Sequence, residues 1–480
     1  PPQPVIIDIN LEYREGPIAA RRRIQEHVAA AIQQFGTAGV RQGINEAKSA
    51  LSEQYFFAVL EGPVIRGIVR LDNIERKPTD QPGARLQQRA IYRIWPDFQI
   101  SALINRSVAT VKADAARSSF SALGRDVVWA VMDSGIDAKH PHFAARRNLE
   151  LSPALQHTDF TSLDGPGEPL RDEFGHGTHV AGIIAGEIPR GAGKVVVALS
   201  RHRDEHGEIT FDRVDLDTIS GMAPECKLLS LKVLDANGQG TASNLIAAIA
   251  IVQQINGYGR RLQVHGVNMS VGYDFEPEWF ACGQSPLCVE VDRLVRSGVV
   301  VVVAAGNTGY GFAQSAFRGT VAAGMGLTIN DPGNAELAIT VGATHRDMPH
   351  LYGVSYFSSK GPTGDGRPKP DLVAPGEKIL SCAAGSLKEK TLAQATAGRV
   401  DEAAPPPSGE DCLYVEDSGT SMAAPHVSGV VAAFLSIRRE FIGRPEDVKR
   451  IFTSSATDLN RDRYFQGRGL VDLMRAIQSV

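Results

Sequence analysis

One run of residues limits the fold of this 480-residue chain more than any other. Residues 299–305 are five valines followed by two alanines. A strand that is apolar at every position has both faces buried, which is typical of a central strand in a parallel sheet. Similar apolar runs at 127–132 and 228–233 alternate with helical stretches such as 242–255. This order predicts an α/β fold, a doubly wound parallel sheet flanked by helices.

Polar residues follow two of these predicted strands. Asp133 comes directly after the run 127–132, and Asn307 follows the valine-rich run after one glycine. The carboxyl ends of parallel strands meet at one edge of a sheet, and functional groups of open α/β folds collect there. We therefore expect Asp133 and Asn307 to lie at a functional edge. An ordinary turn or cap role is the alternative for Asp133.

A histidine and a serine each stand at the start of an apolar helical stretch. His176 lies between two glycines, which let other groups approach its ring closely. Ser421 precedes the apolar run 427–435, so it lies at or near a helix N-terminus, where free N–H groups and the helix dipole stabilise a developing anion. Each residue has an alternative role. Ser421 could simply cap the helix, and His176 could bind a metal together with His179, three residues further on.

Four sequence blocks resemble those of the subtilisin-like serine proteases, in the Asp, His, Ser order of that family. The blocks are Val131-Met132-Asp133-Ser134-Gly135-Ile136-Asp137, Gly175-His176-Gly177-Thr178-His179-Val180-Ala181-Gly182, Ala304-Ala305-Gly306-Asn307 and Gly419-Thr420-Ser421-Met422-Ala423-Ala424-Pro425-His426-Val427. The resemblance covers residues 107–480 and implies a subtilisin-like peptidase domain that hydrolyses peptide bonds in proteins or peptides through an acyl-enzyme. Two other functions stay open: a transpeptidase that passes the acyl group to an amine, and a catalytically dead binding scaffold.

The resemblance also implies a role for each block. Ser421 would be the nucleophile, His176 its general base, and Asp133 the group that orients the imidazole. The Asn307 amide and the Ser421 N–H would form the oxyanion hole. A substrate would bind as an added β-strand. The base of the pocket for the residue at the cleaved bond would lie in 314–326. The residues implied to bind substrate are Gly238, Gly240, Ser270, Val271, Gly272, Ala304 and Gly306.

Residues 1–106 read as a separate small α/β domain. Apolar stretches at 4–9, 55–60, 64–71 and 89–95 are predicted strands, and 19–35 is a predicted helix. The resemblance implies a prodomain that assists folding and inhibits the active site within the same chain. Processing would then fall within about residues 98–110. A docking or regulatory domain is the alternative.

The composition bears on nucleic-acid and membrane partners. A formal net charge of -4 does not favour nucleic acid, and no apolar run is expected to span a membrane. No cofactor is expected. The resemblance leaves a structural calcium open, although a polar insertion at 189–220 replaces the segment where many relatives bind it; Asp137 and the acidic loop 164–168 are candidate ligands.

The cysteines bear on where the protein works. Two disulfides, Cys282–Cys288 and Cys382–Cys412, would leave Cys226 as a buried thiol, and five free thiols are the alternative. A prodomain and disulfides favour secretion, and a cytoplasmic location stays open.

Overall fold

The chain divides into two compact units, Pro1–Ala102 and Leu103–Val480. The computed structural model describes residues 2–50, 52, 54–74, 87–96, 106–162, 165, 167–190, 196–203, 209–275, 278, 281–315, 319–397 and 412–480. Most of the predicted processing segment, 98–105, lies outside these residues. The predicted division into a prodomain and a peptidase domain at 106/107 stays a prediction.

The first unit is an antiparallel sheet with two helices packed on it. The sheet order is β2-β3-β1-β4, and buried side chains of β1 and β3 pack against α1 and α3. The elements in chain order are β1 (Gln3–Ile9), α1 (Pro17–Phe35), β2 (Gly43–Ile44), α2 (Glu46–Ser49), β3 (Tyr55–Leu60), α3 (Gly62–Ile74) and β4 (Ile91–Pro96).

One predicted strand of this unit was wrong. Residues 64–71 belong to the helix α3. Val64 and Ile68 are fully buried and Leu71 is partly buried against the same core, whereas Val69 is exposed. Spacings of four and three residues place these side chains on one face of a helix, and this periodicity outweighs the β propensity of valine and isoleucine.

The second unit is built on one large parallel sheet. Its order among the described residues is β17-β16-β13-β12-β5-β11-β6, and every pairing is parallel. Its strands in chain order are β5 (Val128–Asp133), β6 (Thr158–Asp159), β11 (Lys227–Lys232), β12 (Gly266–Met269), β13 (Val300–Ala304), β16 (Ile339–His345) and β17 (Leu372–Glu377). The predicted α/β fold is confirmed.

Helices cover both faces of this sheet. Trp129 and Val131 of β5 face the core that contains the long helix α11, whereas Ala130 and Met132 face the core that contains α7 and α8. The helices of this unit are α4 (Arg106–Thr110), α5 (Ala113–Phe120), α6 (His176–Ile184), α7 (Ala242–Ile255), α8 (Pro286–Arg296), α9 (Pro349–Tyr352), α10 (Gly385–Ala397), α11 (Thr420–Ile437), α12 (Pro445–Ser455), α13 (Arg463–Gln466) and α14 (Leu473–Gln478).

The insertions form small sheets at the periphery. The polar insertion at 189–220 is largely a hairpin of β8 and β9, which extends a four-stranded sheet of order β18-β19-β8-β9. The remaining strands are β7 (Glu187–Ile188), β8 (Val196–Arg203), β9 (Ile209–Leu216), β10 (Ile219–Ser220), β14 (Tyr310–Ser315), β15 (Gly319–Gly324), β18 (Ile379–Cys382) and β19 (Tyr414–Asp417).

The cysteines correct one prediction. Cys282 and Cys288, proposed as a disulfide, are free buried thiols, and Cys382 is also a free buried thiol. Burial is the largest cause that raises the pKa of Cys382 well above its usual value. Buried, protonated thiols react slowly, because the thiolate is the nucleophile. The alternative of unpaired thiols therefore describes this structure better.

One helix among the described residues is long and apolar enough to cross a membrane. This helix is α11, with 18 residues, and 83% of it is buried inside the protein. By length and composition alone α11 meets this criterion, and the expectation that no apolar run spans a membrane stays a prediction. The burial is that of a core helix, and the apolar character of α11 follows from its place against the sheet.

Candidate active site

Three neighbouring strands end in register at one edge of the parallel sheet. Met132 of β5 is opposite Met269 of β12, and Met269 is opposite Val303 of β13. The residues that follow are Asp133, Ser270 and Ala304. Neighbouring strands lie about 4.8 Å apart, so these three positions form a short row at the carboxyl edge. The strand register therefore brings Asp133 close to the ends of β12 and β13, at the predicted functional edge.

Asp133 binds His176 directly. The Nδ1 atom of His176 lies 2.8 Å from Oδ1 of Asp133, which also accepts a hydrogen bond of 2.8 Å from the Ser134 N–H. The Asp133 side chain is fully buried, and 18% of the His176 side chain is exposed. Because the carboxylate can only accept, His176 carries its Nδ1 proton on this side. Nε2 is then the ring nitrogen left for other chemistry.

The pKa of His176 is raised to about 9. Burial acts in the opposite direction and is the largest single cause. The charge of Asp133 and its hydrogen bond to the ring, together with the charges of Asp417 and Asp172, outweigh burial. The imidazole is therefore protonated at neutral pH and becomes a base as the pH rises towards 9.

The glycines beside His176 are required by close packing. His176 is the first residue of α6, after Gly175 at a φ of 97°. A Cβ at Gly175 would lie 2.1 Å from the Ala384 carbonyl oxygen, and one at Gly177 would lie 2.2 Å from the Gly135 oxygen. Both distances are too short for non-bonded atoms. Only glycine at these two positions therefore lets the start of α6 pack this closely on Ala384 and Gly135. His179 binds the Val415 carbonyl instead, at 3.2 Å, so the two rings have different partners.

Ser421 lies in the first turn of α11, as predicted. Its hydroxyl donates to the carbonyl oxygen of Ser270 at 2.8 Å, and the Ser270 hydroxyl donates to the Ser421 carbonyl, also at 2.8 Å. The second bond is available because Pro425, inside the helix, has no N–H to bind the carbonyl four residues earlier. Among the hydrogen bonds of the described residues, none joins Ser421 to His176.

Asn307 is bound by the first turn of the same helix. Its Oδ1 accepts from the Thr420 N–H at 2.9 Å and from the Thr420 hydroxyl at 3.1 Å. The amide oxygen is thereby fixed, so the two Nδ2 donors point elsewhere, and the side chain is exposed. The N–H of Ser421 belongs to the first turn of α11, where the N–H groups have no acceptor within the helix. The first turn of α11 thus carries the Ser421 N–H and binds the Asn307 side chain.

The residues implied to bind substrate come from three segments. Ser270, Val271 and Gly272 extend from β12, Ala304 ends β13, and Gly306 follows it. Gly238 packs closely on Phe174, with 2.6 Å between its ideal Cβ position and the ring, and Gly240 is exposed two residues on. The rings of Phe174 and His176 are 6.3 Å apart.

The predicted pocket base, 314–326, overlaps a hairpin in which residues 310–315 pair with residues 319–324. Its role as a pocket base stays a prediction. Asn330 and Asp331 follow this hairpin and pack against two of the segments implied to bind substrate. Asn330 lies 2.6 Å from the ideal Cβ position of Gly306, and the Asp331 carbonyl lies 2.6 Å from that of Gly272.

Metal ligation is not evident in the part of the chain that the structure describes. No group of three or more His, Cys, Asp or Glu side chains there is arranged to hold a metal ion. Asp137 uses Oδ1 to accept the Lys139 N–H at 3.0 Å. Residue 164 of the acidic loop lies outside the described residues. A structural calcium therefore stays a prediction.

Sequence reasoning also missed a second buried carboxylate near His176. Asp172 is 4% exposed and accepts hydrogen bonds from Ser134, Gly175 and Thr178. Its spacing gave a usable signal, because an Asp shortly before a predicted helix start is typical of an N-terminal cap.

Comparisons with known proteins agree with this architecture. The family model of the subtilase family, peptidase S8, matches residues 124–469. Pyrolysin of Pyrococcus furiosus is 30% identical over 343 residues, which cover 64% of this chain and 21% of pyrolysin. The match thus spans about a fifth of pyrolysin's length. Serine protease AprX of Bacillus subtilis is 28% identical over 81% of this chain and 74% of its own length.

Subtilisin E of Bacillus subtilis is 28% identical over 371 residues, which cover 77% of this chain and 70% of subtilisin E. The family model covers well over half of the chain and includes all four blocks of the candidate site. The predicted family is confirmed, and with it the class of serine peptidases. This chain belongs to the subtilase family.

Proposed function

We propose that this protein is an endopeptidase in which Asp133, His176 and Ser421 act as one catalytic unit. The observation that carries the proposal is the 2.8 Å bond between buried Asp133 and His176, beside a serine at a helix N-terminus. The bond orients the imidazole and stabilises its protonated form, which is the task of the acid in a Ser-His-Asp unit. No cofactor enters this chemistry.

The reaction begins when neutral His176 takes the hydroxyl proton of Ser421. Rotation about the Cα–Cβ bond turns the hydroxyl from the Ser270 carbonyl towards Nε2. The oxygen then forms a bond to the scissile carbonyl carbon, and that carbonyl oxygen becomes an anion. The Asn307 amide and the Ser421 N–H donate to this anion, in a geometry that the Thr420 contacts to Asn307 prepare.

Collapse of the intermediate breaks the C–N bond and leaves an acyl group on Ser421. The leaving amine takes the proton from Nε2 of His176. Water then attacks the ester carbon and gives a proton to His176. The bond between the acyl carbon and the Ser421 oxygen breaks, His176 returns the proton to that oxygen, and the carboxylic acid leaves. An amine in place of water would give a transpeptidase, so the mass of the product distinguishes the two reactions.

The substrate class follows from the backbone around the site. The segment 270–272 follows β12 at the carboxyl edge of the sheet, the segment 238–240 packs on Phe174 near His176, and several of these residues are exposed. An extended peptide between them would gain main-chain hydrogen bonds whatever its side chains are. We infer broad selectivity for extended protein segments. We also propose that residues 1–106 inhibit this site within the same chain and are removed in a processing step.

Labelling of the serine tests the central proposal. We expect a peptidyl phosphonate to add its mass to the full-length protein once, at Ser421, and a Ser421→Ala variant to stay unlabelled. Ser454→Ala, on α12, serves as the matched control and should label like the wild type. A folded wild type that resists labelling and cleaves no denatured protein would overturn the proposal and favour the binding scaffold.

Intact mass over time tests the zymogen proposal separately. The wild type should lose about its first hundred residues, and the Ser421→Ala variant should keep them. If an active, labelled wild type keeps its N-terminus, the first unit is not a removable inhibitor, and the docking-domain alternative is favoured.

A further inference from the structure

Asp172 is a buried carboxylate that the proposed reaction does not use. It lies in the loop before α6 and is 4% exposed. Its Oδ1 accepts from the Ser134 hydroxyl at 2.9 Å and from the Gly175 N–H at 2.7 Å. Its Oδ2 accepts from the Thr178 N–H at 2.8 Å and from the Thr178 hydroxyl at 2.6 Å. Four donors therefore converge on one side chain.

These contacts connect the two parts of the chain that hold Asp133 and His176. Ser134, the residue after Asp133, also accepts the Gly177 N–H at 2.9 Å. The Thr178 hydroxyl accepts the Asp137 N–H at 2.9 Å. The loop after β5 and the first turn of α6 are thus joined through Asp172 on both of its oxygens. His176 is the first residue of that turn.

We propose that Asp172 is a positioning residue for His176: it fixes the first turn of α6 against Asp133, and its charge stabilises the imidazolium that forms when Ser421 attacks. The proposal rests on the function proposed above. Asp172 does not touch the substrate or the reacting atoms. It acts through Ser134 and through the electrostatic field at the ring.

The contacts act in favour of an ionised Asp172. Two of its four partners are N–H groups, which only donate, and the other two are hydroxyls that each already accept an N–H, from Gly177 and from Asp137. Burial is the largest effect and leaves the pKa of Asp172 above its usual value, whereas the hydrogen bonds from Thr178, Gly175 and Ser134 lower it.

His176 has several charged neighbours besides Asp172. Burial lowers its pKa, while Asp133, Asp417 and Asp172 raise it, in that order of size. The ring of His179 on the same helix interacts with His176, and burial keeps the pKa of His179 low. A buried charge loses little to solvent screening, so removal of the Asp172 charge should be measurable at the ring.

An asparagine at position 172 separates charge from shape. Its amide group would bring two N–H donors towards groups that already donate. The Ser134 hydroxyl would then turn to Oδ1 of Asp133, which lies 3.4 Å away. Both changes weaken the support for a positive imidazole, because one negative charge is lost and the other gains a competing donor.

The test measures the rate of phosphonate labelling against pH. For Asp172→Asn we expect the midpoint to fall by about one pH unit, the size expected for one nearby charge. The maximal rate should fall about tenfold, the same free energy expressed as a rate. With a peptide substrate, kcat should fall and KM should stay. Asp126→Asn, an exposed aspartate with a positive φ of 62°, is the matched control and should leave both values unchanged.

Each outcome separates the two proposals. An unlabelled wild type overturns the proposed function. A labelled wild type with the same midpoint in Asp172→Asn overturns the role of Asp172 alone. Ser134→Ala covers the case in which Asp172→Asn does not fold. Ser134→Ala keeps the charge of Asp172 and removes the hydroxyl that joins it to the loop after β5. The maximal labelling rate should therefore fall several-fold, and the pH midpoint should not change. An unchanged rate in Ser134→Ala contradicts the link.

Discussion

Acid should destabilise the second unit through a buried histidine that the proposed reaction does not use. His142 is 1% exposed, with Nε2 3.2 Å from the Gly182 carbonyl and Nδ1 3.0 Å from the Tyr414 hydroxyl. The carbonyl can only accept, so Nε2 carries the proton and Nδ1 accepts from Tyr414. A second proton on Nδ1 would meet the hydroxyl donor. Burial, and then the neighbouring His140, lower the pKa of His142 to about 3.

The size of the effect follows from proton linkage. The unfolded state binds a proton near pH 6.5, whereas the folded state does so only near 3, so stability falls as the pH drops between these values. Each pH unit is worth about 1.4 kcal/mol, so lowering the pH from 6.5 to 4 costs about 3 kcal/mol from this residue. Burial likewise lowers the pKa of His140 and His426 to about 4, and both act in the same direction.

Denaturant unfolding of the inactive Ser421→Ala protein at pH 7 and pH 4 checks this reasoning. Ser421→Ala/His142→Gln should be less stable at pH 7 because the ring packing is lost. Its further loss on going to pH 4 should be smaller by about 3 kcal/mol. His350→Gln, at an exposed position, is the control and should lose as much stability as the parent. If the free energy of unfolding falls equally between pH 7 and pH 4 in the parent and in the His142 variant, His142 is not a buried, neutral histidine.

Three further predictions concern the active site and its packing. Peptide hydrolysis should rise with pH to a midpoint of about 9 in kcat/KM, because His176 must be neutral to act as a base; a profile flat from pH 6 to 10 would contradict this. Asn307→Ala should lower kcat by about 100- to 1000-fold with little change in KM, as measured by initial rates, because its amide donates to the oxyanion that exists only after attack. Gly175→Ala should lower the melting temperature well below that of Gly366→Ala; both glycines have positive φ, but only at Gly175 does a Cβ meet a backbone atom. Equal melting temperatures would show that the turn relaxes freely.

The sequence predicted those parts of the fold that depend on local pattern. The valine run of β13 and the strand before Asp133 are apolar at nearly every position, so their burial in a parallel sheet follows directly. The four blocks also located the candidate site, because each is a local arrangement of small and polar residues at the end of an element.

The parts that failed depend on contacts distant in the chain. The composition of residues 64–71 favours a strand, while their helical spacing is confirmed only by the core they face. The packing of Asn330 beside Gly306 and of Asp331 beside Gly272 was not predicted, because a hairpin separates these two residues from Asn307. Asp172 was missed because its four donors come from separate turns, and sequence spacing alone does not reveal that they converge.

The hydrogen bond from Ser421 to Ser270 is consistent with the raised pKa of His176. At neutral pH an imidazole with a pKa of about 9 is protonated, so its Nε2 is a donor and offers no acceptor to a serine hydroxyl. The hydroxyl therefore donates to the best nearby acceptor, the Ser270 carbonyl at 2.8 Å. Deprotonation of His176 turns Nε2 into an acceptor and allows the hydroxyl to rotate towards it. Under the proposed mechanism, the hydrogen bond of Ser421 and the charge of His176 thus change together, and a structure determined above pH 9 should show Ser421 bonded to His176.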